Sequence, residues 1–284
     1  LDIPRGVSLG RNFLALLKMW RLFKKKNFDI THTTTPMAGL LTSIAAFVAG
    51  VPIRLHTFTG QPWVNLQGII GWVAKTGDKV IGRLNTLCYT DSNSQMCFLV
   101  KKQIISKNNL KVIESGSLAG VDIVRFNASS FSEDKQNSLR NTLSISSDAK
   151  VLLFVGRITP DKGIRELISA FSRIKNDGSN AHLILIGPFD ADSGVSNSIS
   201  KNEIIAMPEL HLIGYSDCPE KYMCISDILC LPSYREGFGT VVIEAAAMGI
   251  PTVGSDIYGL TDAVVHGETG VLVPPEDVDA LYEG

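Results

Sequence analysis

The sequence predicts an α/β protein made of two open parallel-sheet units, and three observations carry that expectation. Short apolar runs recur without polar alternation, the pattern of strands buried on both faces. Helical stretches separate these runs, as crossovers between parallel strands require. Charge also divides the 284-residue chain: residues 1–126 hold 16 Lys and Arg against 6 Asp and Glu, a net of +10, while residues 127–284 hold 11 against 22, a net of −11.

In the C-terminal half the expected strands are Val151–Val155, Leu183–Ile186, Leu212–Gly214, Ile228–Leu231, Thr252–Val253 and Val271–Val273. Helical patterns at Pro160–Lys175, Pro219–Ser226 and Thr240–Met248 lie between them. The N-terminal half repeats the theme with strands at Phe28–Thr31, Ile53–Thr57, Leu87–Thr90 and Val112–Ile113 and helical runs at Gly39–Ala49 and Ser92–Lys102. The polar stretch from Asn127 to Lys150 has the composition of a linker with a short surface helix, so the expected domains are residues 1–126 and 127–284.

Composition narrows the class. Hydrophobic residues make up 45% and charged residues 19%, with 25 Gly and 12 Pro, which excludes disordered, collagenous and coiled-coil chains. Five cysteines, an odd number, fit a reducing compartment better than a disulfide framework. The longest apolar run, Ala38 to Ile53, is broken by Thr42, Ser43, Gly50 and Pro52 and is too short to span a bilayer. The basic half implies an anionic partner. Its Lys-rich stretch, Ser8–Lys26, has Leu14, Leu17, Trp20 and Phe23 at spacings near three, the pattern of a helix on a membrane surface and equally of an outer helix with a solvated basic face. Nucleic acid is not the expected partner.

Two segments carry chemistry. After the strand at Val151, Gly156 allows close approach of a ligand. Thr159 and Pro160 stand at the N-cap and first position of a helix whose amino end favours an anion, with Arg157 and Lys162 beside it. A capped helix with solvated cations reads the same way. The second segment, Leu231–Pro251, places Glu236 in a loop and Glu244 one turn inside a helix. Helical side chains lean toward the amino end, so the two carboxylates can line one pocket at the carboxyl edge of the sheet. Carboxylates accept hydrogen bonds from sugar and ribose hydroxyls, whereas the cationic segment accepts a diphosphate. Together they describe a nucleotide-sugar site.

The combination of Gly156, Arg157 and Lys162 with E-G-F-G-x4-E from Glu236 to Glu244, then Gly249 and Pro251, resembles the retaining glycosyltransferases of family 4. GVDxxRF (Gly120–Phe126) and HGETGxLVPPED (His266–Asp277) extend the resemblance over nearly the whole chain. It implies a GT-B fold of two Rossmann-like domains with a cleft between them, and a metal-independent hexosyltransferase. In that family Arg157 and Lys162 would hold the donor diphosphate and stabilise the departing nucleoside diphosphate. Glu236 would meet the donor sugar, the amides of Phe238, Gly239 and Thr240 the sugar and phosphates, Glu244 the ribose, and backbone up to Tyr215 the base. His56, in RLHTFTGQPW after a buried strand, would face the cleft in polar contact with the sugar.

No metal or other cofactor is expected. The donor would be a nucleotide diphosphate sugar, UDP-linked by preference, and the acceptor a glycan or a polyprenyl-linked one. The enzyme would be cytoplasmic, peripheral on the anionic inner face of the membrane, and engaged in cell-surface polysaccharide assembly. Asp190-Ala191-Asp192 reads as solvated turn residues rather than a metal motif, and Cys218, Cys224 and Cys230 have no zinc-ligand spacing. Measured against the family, the chain reads as a fragment lacking a first βαβ unit and closing helices, so its N-terminal domain is expected to be incomplete. Two other classes stay open: a nucleotide-sugar epimerase of the same fold and a non-catalytic nucleotide-sugar-binding module.

Overall fold

The structure is a computed structural model and describes residues 9–117, 119–189, 204 and 207–284. The chain divides into two compact units, residues 1–118 with 236–238 and residues 119–235 with 239–284.

In the first unit β1 (Ile30–Thr33), β2 (Ile53–Phe58), β3 (Leu87–Thr90) and β4 (Leu110–Val112) form a parallel sheet in sequential order. Helices α2 (Pro36–Ala49), α3 (Gly68–Leu84) and α4 (Asn93–Lys101) make the crossovers, and α1 (Leu9–Lys26) precedes β1. Pro36 opens α2 and Gly50 closes it in the left-handed region, while the Ser92 hydroxyl accepts from the Gln95 amide to cap α4. On α1, Ala15, Met19 and Phe23 recur every fourth residue and pack against Leu41, Ala45, Ala46 and Val51. Burying Phe23 or Met19 contributes about 1.5–3 kcal/mol each. Leu14 lies off that stripe and is 57% exposed. The stripe of α1 therefore serves packing on α2, the outer-helix alternative.

The second unit has six parallel strands: β5 (Lys150–Val155), β6 (Ala181–Ile186), β7 (Leu210–Gly214), β8 (Ile228–Leu231), β9 (Thr252–Ser255) and β10 (Gly270–Val273). Their order is β10-β9-β8-β5-β6-β7, so the winding reverses between β5 and β8. Around them lie α5 (Glu133–Thr142), α6 (Ile164–Asn176), α7 (Glu220–Met223), α8 (Thr240–Ala247), α9 (Leu260–Ala263) and α10 (Val278–Glu283). All of β6 is buried, His182 included, as the apolar run Leu183–Ile186 requires of that stretch, and α6 presents Ile164, Leu167, Ile168 and Phe171 to the core at helical spacing.

Two expectations shift. The seam lies between residues 118 and 119 instead of at 126, because Phe126 is buried in the second unit's core and Val121 packs against it. The helix expected from Pro160 begins instead at Ile164: Pro160–Lys162 form a 3-10 turn that Gly163 ends at φ 68°. Among the described residues no helix is long and apolar enough to cross a membrane.

Candidate functional site

Parallel strands deliver their outgoing loops to one sheet edge, and where the strand order reverses the loops diverge and leave a crevice. In the second unit the reversal lies between β5 and β8, which pair at Leu152–Ile228 and Leu153–Leu229. Gly156 and Arg157 leave β5 and residues from Pro232 onward leave β8, so both chemistry-bearing segments start side by side at that point.

Backbone approach then locks them together. A Cβ at Gly163 would stand 2.0 Å from the Pro232 carbonyl oxygen, so only glycine lets the 3-10 turn rest on the end of β8. Asp161, in that turn, is the common tie. Its carbonyl accepts from the Tyr234 amide at 3.0 Å. Its Oδ2 accepts from Arg235 at 3.0 Å and lies 4.0 Å from the Arg157 guanidinium. Its Oδ1 accepts from the Thr159 hydroxyl at 2.5 Å, so Thr159 holds this carboxylate rather than capping a helix. Burial pushes the Asp161 carboxyl up, but the Thr159 bond with Arg235, Lys162 and Arg157 outweighs it and holds the group below the usual range. The sequence reading passed over Asp161, although an acid lying between Arg157 and Lys162 was its visible signal. Arg157 is exposed and Lys162 half-buried.

Gly239 adopts φ 82° at the start of α8, where a Cβ would meet Leu260 at 2.6 Å. Thr240 is the first residue of that helix. Glu244, a turn further, is half-buried. Burial raises its carboxyl above the usual range, Arg125 draws it down and Glu220 raises it further. Arg125 reaches Glu220 Oε2 through two nitrogens at 3.0 and 2.8 Å and donates to the Asp217 carbonyl. Tyr215, 74% exposed at the end of β7, donates its hydroxyl to Asp217 at 2.7 Å. Tyr215, Asp217, Arg125, Glu220 and Glu244 thus form one connected patch. Sequence reasoning gave Arg125 no role, though the GVDxxRF segment contained it.

The expected site residues divide between the units. Gly156, Arg157, Lys162, Tyr215, Gly239, Thr240 and Glu244 belong to the second, whereas Glu236 and Phe238 group with the first. Phe238 is buried, and Glu236 is bonded directly to Arg235, the residue that bridges Asp161. His56 needs correction. It sits within β2, 2% exposed, with Nδ1 2.8 Å from the Thr33 hydroxyl and its ring edge-on to Phe58. Burial, with a smaller contribution from His32, lowers its pKa to about 4, so the ring is a neutral core group rather than one facing a ligand. Beyond β3 the first unit instead holds Asp91, buried and pushed up to about 6 by desolvation, beside Gln95 and Gln61.

Asp190-Ala191-Asp192 lies outside the described residues. Cys218, Cys224 and Cys230 are free thiols, and among the described residues no three His, Cys, Asp or Glu side chains gather to hold a metal.

Two parallel-sheet Rossmann-like units, one with charged segments at its strand-order reversal, define an α/β protein of the GT-B type. Anabaena HepE in complex with UDP and glucose matches at a TM-score of 0.77 and 22% identity, over 99% of this chain and 73% of that one. Sucrose-phosphate synthase from Thermosynechococcus elongatus matches at 0.76 and 22%, over 100% and 72%. In sequence, the capsular polysaccharide biosynthesis glycosyltransferase CapM of Staphylococcus aureus is 32% identical over 291 aligned residues, covering 100% of this chain and 73% of that protein. The Escherichia coli UDP-Gal:alpha-D-GlcNAc-diphosphoundecaprenol alpha-1,3-galactosyltransferase is 25% identical, over 98% and 70%. Residues 135–284 match the family model of glycosyl transferases group 1. The chain belongs to that family and is a glycosyltransferase.

Proposed function

We propose that the protein is a retaining family 4 enzyme that moves a hexose-type sugar from a UDP-sugar to a glycan or polyprenyl-linked acceptor. It would act at the cytoplasmic face of the membrane in cell-surface polysaccharide assembly. The observation that carries this reading is the tie between the two motif segments, Asp161 to Tyr234 and Arg235, at the β5–β8 reversal. Three relatives support its direction: the capsule enzyme of Staphylococcus aureus, the diphosphoundecaprenol enzyme of Escherichia coli, and HepE, whose structures contain UDP, UDP with glucose, and UDP-glucose.

In this reading Arg157 and Lys162 bind the diphosphate and neutralise the charge that grows on it as the glycosidic bond breaks. They and the amino end of α8 do this without a divalent ion. Glu244 accepts from the ribose hydroxyls, backbone by Tyr215 meets the base, and Glu236 with the amides of Phe238 to Thr240 orients the sugar. The acceptor hydroxyl attacks from the face that the diphosphate leaves. Its proton passes to the departing phosphate oxygen, so no side-chain base is required and a neutral, buried His56 is compatible with turnover.

A thermal-shift screen of UDP-glucose, UDP-galactose, UDP-N-acetylglucosamine and GDP-mannose, joined to a UDP-release assay with lipid-linked acceptor, tests the reading. A binding nucleotide sugar at a hundredfold excess over its Kd stabilises the fold by about 2.7 kcal/mol. Stabilisation by a UDP-sugar with acceptor-dependent UDP release is the expected result. Stabilisation without release leaves a binding module, release of free or isomerised sugar without acceptor an epimerase, and no response to any nucleotide sugar ends the donor assignment.

A further inference from the structure

We propose that Asp91 is a positioning residue for the transfer: it seats the Glu236–Phe238 segment at Gly237 and thereby fixes where Glu236 stands. The proposal rests on the donor reading above, in which Glu236 meets the sugar, and it gives a role to an acid that neither motif segment contains. Loops leaving the carboxyl edge of the first unit's sheet close around the 236–238 segment, which groups with that unit. A Cβ at Gly237 would stand 2.5 Å from Asp91 Oδ2 and 2.5 Å from the Thr59 carbonyl oxygen, so the loops after β2 and β3 leave room for backbone alone. After β4, Gly116 at φ 99° lets the Phe238 ring approach: a Cβ there would meet the ring at 3.2 Å and the Asp91 carbonyl oxygen at 2.4 Å. The glycine that follows Glu236 is therefore demanded by Asp91 and Thr59, which crowd it, and not by a left-handed turn.

Asp91 is pinned where it can serve as that seat. Its amide donates to Gln95 Oε1 at 2.9 Å, its carbonyl accepts from the Ser117 amide at 2.7 Å, and Gln95 Nε2 donates to Gln61 Oε1 at 3.3 Å. Ser117 makes its bond from φ 63°, a left-handed conformation that costs any residue with a Cβ. The Thr59 hydroxyl donates to the Thr34 carbonyl at 3.2 Å, which ties the loop after β1 to the same place. The carboxyl itself is more than packing needs. Asp91 is 7% exposed, and among the described residues its Oδ1 has no hydrogen-bond partner. Burial pushes the group up to about 6, a cost that an apolar side chain of similar size would avoid, so the presence of an acid here marks a use.

That use follows from how the site residues divide. Arg157, Lys162, Tyr215 and Glu244 belong to the second unit, whereas Glu236 groups with the first and depends on its seat there. Disturbing Asp91 should impair handling of the sugar and spare the nucleotide.

The test compares UDP with whichever of UDP-glucose, UDP-galactose and UDP-N-acetylglucosamine stabilises the full chain most. Asp91→Ala should lower kcat/KM for that UDP-sugar by about thirtyfold, chiefly through kcat, while the Kd for UDP stays within about twofold of the parent's. In a Glu236→Ala background the same change should cost less than about threefold, because the group that Asp91 positions is gone. Asp91→Asn, which copies the neutral acid in shape, should bring the rate back to within about threefold of the parent's. Gly237→Ala, which pushes the segment off an intact seat, should reproduce the loss seen in Asp91→Ala. Parental kinetics in Asp91→Ala, equal weakening of UDP and UDP-sugar, or a full loss that persists without Glu236 would overturn the assignment. Should Asp91→Ala fail to fold, Gly237→Ala carries the same comparison, and parental kinetics there overturn it as well. A parent that binds neither UDP nor any of the three UDP-sugars ends the donor reading and this proposal with it, whereas UDP binding without a sugar-selective loss in the variants ends this proposal alone.

Discussion

At the carboxyl edge of the second unit's sheet the ionisable groups are paired and partly hydrated, whereas at the same edge of the first unit's sheet they are buried and pushed toward their neutral forms. Asp161 is held below the ordinary carboxylate range amid Thr159, Arg235, Lys162 and Arg157, and Arg125 keeps its charge against Glu220. Asp91 rises to about 6 and His56 falls to about 4, each chiefly through desolvation. The contrast separates two uses of polar residues. Charged groups near water keep counter-charges beside them, while buried polar groups shift toward their neutral forms, His56 staying neutral and Asp91 taking up its proton at a higher pH than a free carboxyl.

The largest expected effect falls on the charged edge. Lys162→Ala should lower kcat/KM for the UDP-sugar by roughly 10²–10³-fold with the melting temperature unchanged, the scale of losing one preorganised charge stabiliser. An unaffected rate would break the contrast. Asp161→Asn comes next: turnover should fall about tenfold as the turn loosens from Arg235, yet inorganic phosphate should inhibit more strongly, because a competing carboxylate is gone. Unchanged phosphate inhibition would mean that Asp161 does not occupy the cations.

The sealed edge is expected to answer to pH instead. Unfolded His56 takes up a proton near pH 6.5 while the folded ring resists it down to about 4, so the folded state loses stability as pH falls through that window. Between pH 7 and 5 the parent should lose about 2 kcal/mol relative to His56→Asn in urea titrations. Asp91 acts in the opposite direction, since its folded carboxyl takes up a proton near pH 6, before the unfolded one does. Asp91→Asn should therefore remove a smaller gain in stability on acidification. Parallel pH curves for the parent and both variants would show that the two groups are not sealed.

Legibility followed the physics of each element. β6 was readable because six consecutive buried positions leave no room for polar alternation, and β5 and β8 were readable for the same reason. The charged segments were readable because Arg157, Lys162, Glu236 and Glu244 stand next to glycines that open the backbone. The start of α6 was misplaced, since Pro160 reads as a first helical residue and nothing local shows that Gly163 turns left-handed against Pro232. α3 escaped notice altogether: its glycines weaken helix propensity, and its apolar side chains face outward where periodicity expects an inward stripe. His56 was misjudged because sequence adjacency to a loop does not say which way a strand residue faces.

The bond from Arg235 to Asp161 bears on selectivity in the proposed donor reading. In that reading a monoanion approaching Arg157 and Lys162 would have to evict a resident of equal charge. A diphosphate would bring more charge and two groups to place, and would displace that resident while still gaining contacts. Asp161 would then favour ligands with two phosphoryl groups over those with one.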